Sequence, residues 1–531
     1  MPTSIPHSRS HEGRFGRLFG RGFTSWTPPG ATDAEREQAI HDYVAASMSG
    51  STPAGVQPQD DPSNSAIPAG YTYFGQFVDH DITFDPVSSL GKHNDPEGLQ
   101  NFRSPRFDLD SLYGRGPDDQ PYLYDHGRKL HDGFAGYLAT GLGANMAHPE
   151  PDLQRNAEGV AMIGDPRNDE NVIVSQLQLG FAKLHNAILH KLEVADEIVG
   201  MSGKQLFLEA QRLTVWAYQY VVWNDFIARI TEPSVFQKAI EFTDEDGAGP
   251  FYGVEFGLKD VYDWSVTPYM PVEFSVAAYR FGHSMIRAEY QMNIVLGFGR
   301  DHARPIFATP GVPHPEGPPD DLGGFKRLPA NCTVQWDWFF DFPSSVPGVF
   351  PQRALKIDPE LSASVMHIPG SAGATKPLAE LNIRRGWRME LPPATEVAHA
   401  LHIDPRPVGD PMEESLWISI LHEAKEQQGG ERLGAVGSTI VAAVFSGLLR
   451  GDPFSYINRD PHWTPAHATV DGNAIFERAF PGEPDRPWSV SDLLKTAGMP
   501  IDAGNDIESL IGASAPPLQA PDSPASLMQE H

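Results

Sequence analysis

The chain has 531 residues, 40% of them hydrophobic, which is enough for a large buried core. Its 69 acidic against 40 basic side chains leave a formal charge of −29, which argues against a polyanionic partner such as nucleic acid and favours solubility and a soluble partner or substrate. The lone cysteine, Cys332, rules out an internal disulfide and any cysteine-built zinc or iron–sulfur site.

In chain order, residues 1–65 are rich in Pro, Gly, Ser and charge and read as an N-terminal arm with one helix around 34–46. The first residues lack the unbroken apolar core of a secretory signal, so a cytoplasmic location is the default expectation, with non-classical secretion as the alternative. Residues 66–511 read as one domain and 512–531 as a flexible tail. Helices are predicted over 70–84, 171–192, 203–230, 273–286, 415–424 and 431–450, from apolar residues recurring at three- and four-residue steps. The most apolar run, 433–449, is too short to span a membrane comfortably and reads as a buried core helix. Period-two alternation is scarce, and the 49 prolines and 50 glycines gather between helices. The expected fold is one large, mainly α domain with long irregular loops and little β.

The helix over 70–84 carries a chemical oddity. Gln76, Asp79, His80 and Thr83 share one side, Phe74, Phe77, Val78 and Ile82 the other, and Asp81 falls among the apolar residues. A solvated amphipathic face would explain the first set. It does not explain Asp81, because a buried carboxylate needs a cation or a set of donors. In 104–114, an extended chain would point Ser104, Arg106, Asp108 and Asp110 the same way. The Ser and Asp oxygens, a backbone carbonyl near Arg106 and Asp81 could together hold a hard cation; Ca²⁺ takes roughly 6–8 oxygen ligands. In 165–176, Arg167 and Glu170 stand three apart at a helix start, and helix capping accounts for Glu170 better than for Arg167. In 277–287, His283 follows Gly282, which lets a flat partner approach the backbone, although a carbonyl-satisfied core histidine would look the same.

Five segments in order, GQFVDHD (75–81), DLDSLYG (108–114), PRNDEN (166–171), YRFGHSMIR (279–287) and LAELNIRRG (378–386), resemble the animal-type haem peroxidases of the peroxidase–cyclooxygenase superfamily, in a bacterial-type form. The resemblance implies haem b and Ca²⁺ as cofactors. It gives His80, Arg167 and Gln76 the catalytic places on the distal side and makes His283 the proximal iron ligand. Asn382 would accept a hydrogen bond from that histidine. Asp79 and Glu170 would form ester links to the haem, and Arg280 and Arg385 would lie near its propionates. Asp81, Ser104, Arg106 (through its carbonyl), Asp108 and Asp110 would form the calcium shell. The implied activity is reduction of H₂O₂ through a ferryl oxidant, with a phenolic or aromatic compound, a halide or thiocyanate as donor.

Two departures bear on this. Asn171 replaces the methionine that forms a third haem link in some relatives. Arg280 stands where fatty-acid oxygenases place a radical-forming tyrosine, and Tyr279 is one step, about 100° of helix, away. A fatty-acid dioxygenase and a non-enzymatic haem or calcium protein are the competing readings; a non-haem metal hydrolase lacks a third ligand at helical spacing.

Overall fold

The computed structural model describes residues 15–20, 22–50, 58–84, 101–141, 152–195, 200–242, 254–265, 267–308, 313–328, 330–369 and 375–502; the tail expected at 512–531 lies outside these. The fold is helix-dominated, and every β-ladder among the described residues is two-stranded. No described helix is long and apolar enough to cross a membrane.

The helix expected around 34–46 forms over Asp33–Ser47, started by a reciprocal Thr32/Glu35 capping box. It lies against the helix Leu378–Arg388 through Arg384–Glu37 and Arg388–Asp33 ion pairs of 2.7 and 3.1 Å. The helices Val172–Glu193 and Ala435–Gly451 form as read, and the second is buried along nearly its whole length. Apolar side chains all round such a helix require neighbours on every side, which a two-sheet or surface position would not supply.

Two helices depart from the periodic reading. The stretch 203–230 is α-helical over Gly203–Val221, then opens into a π-turn at Val222–Ile227. Asn224 spends its side-chain amide on Tyr220 O (3.1 Å), and Asp225 accepts from Tyr71 Oη (2.6 Å) and Val490 N (3.0 Å). The inserted residue thus turns a polar group towards partners that a regular helix would miss. The stretch 273–286 is α-helical only over Val272–Val276 and continues as a 3₁₀ turn over Ala278–His283. Here side chains take carbonyls that helix amides would otherwise use. Arg280 Nε donates to Ser275 O (3.0 Å), and Trp417 Nε1 to Arg280 O (3.1 Å).

The helix Gly70–Ile82 is the element that positions the site. Its apolar side packs into an aromatic cluster: Phe77 stacks on Phe181 at 4.9 Å between ring centroids, and Phe74 and Phe77 meet Tyr218 edge-on. Such contacts contribute roughly 0.5–1.5 kcal/mol each beyond burial. They fix the rotation of the helix, and with it the direction of its polar side.

Candidate active site

On that polar side, His80 is buried, and its Nδ1–H donates to Asn168 Oδ1 at 2.8 Å. The Asn168 amide is oriented in turn, because its Nδ2 donates to Gln178 Oε1 at 2.8 Å. This chain of donors puts the ring proton on Nδ1 and leaves Nε2 bare. Burial, reinforced by the Arg167 charge, pushes the imidazole down to about 3, so it is neutral. Gln76 Nε2 donates to Glu170 Oε1, and Asn171 Nδ2 donates to Gln76 Oε1 at 3.0 Å. Asn171, which cannot form the methionine-type link, has instead become part of this network. Burial raises Glu170 to about 7, against the opposing charge of Arg167, and it also raises Asp79, against Arg167 and Arg280.

Arg167 leaves the 3₁₀ turn Pro166–Asp169 and reaches back to the end of the distal helix. Its Nη2 donates to His80 O (3.0 Å), to Thr83 O and to Asp165 Oδ2 (2.7 Å), and its Nε donates to Asp165 Oδ1 (3.1 Å). The guanidinium also lies over Phe84, 4.6 Å from the ring centroid. Among the described residues Nη1 makes no hydrogen bond. Burial opposes ionisation of Asp165, but bonds to Arg167 and the charges of Arg167 and Arg103 outweigh it and hold the carboxyl well below the usual range. The same loop is clamped from outside: Arg155 pairs with Asp152 and Asp169, and Gly324 N donates to Glu170 O at 2.9 Å. A side chain at Gly324 would put its Cβ 1.7 Å from Asp169 O, so only glycine allows this approach.

On the opposite side of the distal helix, Asp81 is fully buried, and its carboxylate accepts from Leu109 N (3.2 Å) and Ser111 Oγ (3.2 Å). Asp81, Asp108 and Asp110 offer oxygens that all lie within 4.8 Å of one another. Ser104 joins them, donating from Oγ to Asp108 Oδ2 at 2.7 Å, and Arg106 lies midway along the same loop. The extended strand expected here is absent. Leu109 takes a left-handed turn (φ 56°), and that turn makes the carboxylates converge. Burial raises Asp81 well above the usual range and Asp110 to about 8, and the neighbouring carboxylates add to the rise. Packed carboxylates pushed towards protonation are what a cation would relieve.

On the third wall, His283 Nδ1 lies 2.7 Å from Asn382 Nδ2. This differs from the expected acceptor role, since the amide nitrogen faces the ring. The reason is Arg280, whose Nη1 donates to Asn382 Oδ1 at 3.0 Å. Burial, with the nearby Arg280 charge, lowers His283 to about 3. Arg385 is buried three residues after Asn382, on the same helix face. Tyr279 Oη donates to Gly75 O at 3.1 Å and ties this segment to the distal helix.

Neither Nε2, of His80 or of His283, has a hydrogen-bond partner among the described residues, and a Cβ built at Gly282 meets no atom within 4 Å. Gln76, Asp79, Glu170, Arg280, Gly282 and His283 are only half-buried although they sit on otherwise buried elements. Two anchored imidazoles whose outer nitrogens meet no described group, beside open space at Gly282 and two half-buried acidic residues, fit a haem. Asp165, Asn168, Gln178 and Arg103 were not among the residues read from sequence. Only Asp165 had a signal there, as an Asp-Pro helix start.

Residues 88–296 match the family described as animal haem peroxidase. A peroxidase-like protein of Margaritifera margaritifera is 24% identical over 467 residues, covering 73% of this chain and 55% of the relative. Human thyroid peroxidase is 25% identical over 221 residues, covering 39% and 21%. The chain spans about half the length, or less, of these curated relatives. Peroxidase A of Dictyostelium discoideum shares the fold with a TM-score of 0.57 at 16% identity, over 86% of this chain and 92% of that one. A fatty acid alpha-dioxygenase of Oryza sativa gives 0.53 at 16%, over 83% and 76%. The chain thus shares its fold with these two structures. The similarity to the animal haem peroxidase family is therefore one of sequence over residues 88–296, beside a likeness of fold over most of the chain.

Proposed function

We propose that the protein is a haem-dependent peroxidase that reduces H₂O₂ and oxidises a small donor. The observation that carries this reading is the Gln178–Asn168–His80 chain, which presents a bare Nε2 into the site. When bound, haem would supply the redox chemistry that peroxide reduction needs. His80 Nε2 takes the proton from one peroxide oxygen and returns it to the other, a role typically worth ~10²–10⁴-fold. Arg167, held by Asp165 and by the carbonyls of His80 and Thr83, offers its remaining Nη1 to charge developing on the departing oxygen. Gln76 orients a polar ligand beside His80 and keeps Glu170 in place. His283 would hold the iron, Asp79 and Glu170 would anchor the haem by ester links, and Asp81, Ser104, Asp108, Asp110 and the Arg106 carbonyl would hold Ca²⁺.

The test is an absorption spectrum of the purified protein before and after equimolar peroxide, with His80→Ala beside wild type. A fast Soret change in wild type, slowed by two orders of magnitude or more in the variant, is expected. No change in wild type would leave a non-enzymatic haem protein as the better reading. A fatty-acid dioxygenase is the second reading, motivated by the rice fold neighbour and opposed by Tyr279, whose hydroxyl is spent on Gly75 O. Oxygen uptake with linoleate, lost in Tyr279→Phe, would reverse that preference.

A further inference from the structure

Four residues beyond the proximal histidine, Arg287 is buried to 5% exposure behind the antiparallel pair Asn64–Pro68 and Arg353–Leu355. Its Nη1 donates to Asn64 Oδ1 (2.5 Å) and Arg353 O (2.7 Å), and its Nη2 to Pro58 O (3.0 Å). All three acceptors are neutral. Among the described residues Nε is buried without a partner, and Asp61 and Glu289 act on the guanidinium only at a distance. A buried cation that meets no carboxylate is costly, and a guanidinium forms its strongest bonds with a carboxylate.

This guanidinium borders a cavity of about 110 Å³, lined by Pro58, Gln59, Arg287, Gln291, Arg353 and the segment 348–352. Pro58 and Arg353, whose carbonyls accept from the Arg287 guanidinium, are lining residues as well. Among the described residues the lining holds two arginines and no acid, in a chain where acids outnumber bases 69 to 40. Arg353 is 38% exposed and stands at the outer side, with Asp341 3.9 Å away. Val349 and Phe350 supply an apolar side, and Phe350 is stacked on Trp338 at 4.3 Å.

We infer that this cavity is a binding site for a small organic carboxylate, its anionic end on Arg287 and Arg353 and its apolar part against Val349 and Phe350. Its lining contains none of the residues of the candidate active site, and it needs no peroxide chemistry. The test uses the full chain as purified, titrated with sodium benzoate, acetate, chloride or thiocyanate at constant ionic strength. Calorimetry and the melting midpoint are read while the Soret band is followed. Arg287 ties together three backbone segments, so the variants are Arg353→Gln and Val349→Trp. Wild type should show saturable binding and a raised midpoint with benzoate. Arg353→Gln should bind roughly tenfold more weakly, the loss of one charge-assisted bond, and Val349→Trp should not bind. No saturable response, or equal responses in both variants, would overturn the site. A response that follows a Soret shift and survives Val349→Trp would place the anion at the iron and also overturn it. Binding of chloride or thiocyanate without benzoate would overturn the carboxylate assignment. None of these readings depends on whether the protein turns over peroxide.

Discussion

The two histidines differ in how the protein prepares them. His80 is wired through Asn168 to Gln178, so the fold alone chooses its tautomer. His283 faces the nitrogen end of Asn382, because Arg280 holds the oxygen end. In that arrangement Nδ1 accepts and the ring proton sits on Nε2, the nitrogen that iron would need. Turning the amide over would correct this and would release Arg280 from Asn382. The comparison teaches that polypeptide alone holds His80 in the tautomer its proposed role needs, whereas His283 would need the Asn382 amide turned over before it could hold a metal.

The largest effect should come from removing the ligand itself. His283→Ala is expected to lose the Soret band, and a normal band would break the proximal assignment. Next is the pair Asn168→Ala and Asn382→Ala. The first should slow the reaction with peroxide roughly 10–100-fold with haem still bound, by releasing the His80 tautomer. The second should leave that rate closer to wild type and shift the iron–histidine stretch in resonance Raman. Equal rate losses would mean that both sides are prepared alike. Exhaustive chelation of calcium should lower the melting midpoint by on the order of 5 °C and slow peroxide reduction, because Asp81 is on the His80 helix; an unchanged midpoint would count against the cation site.

The smallest effect concerns Glu170, whose pKa burial raises to about 7 from an ordinary value of 4.5. A raised carboxyl contributes stability that is complete below its unfolded value and is lost as pH rises through the folded one. In haem-free protein, wild type should therefore lose on the order of 2 kcal/mol relative to Glu170→Gln between about pH 4.5 and pH 7. Denaturant midpoints at several pH values would measure it, and parallel curves would contradict it.

Much of the site was legible because its elements are local. Gln76, Asp79 and His80 fall on one face of one helix, and Asp81 stands out by sitting on the other, which period alone reveals. The DLD stretch suggested a cation site by residue type alone, whereas the convergence of Asp108 and Asp110 depends on one left-handed residue, Leu109, which an extended chain would not supply. The regular helix expected over 273–286 failed for a similar reason. Carbonyls there are claimed by Arg280 and Trp417, and the second lies 137 residues away.

The sequence by itself determined which chemistries are present and on which helix faces, since side-chain type and a 3.6-residue period are properties of short segments. Tertiary structure alone decided how those groups are wired. Asn168 meets a histidine 88 residues earlier, Arg280 takes the oxygen of Asn382, and Arg287 is buried with no ion pair among the described residues. A hydrogen bond depends on tenths of an ångström between distant segments, and only the packed core supplies that precision.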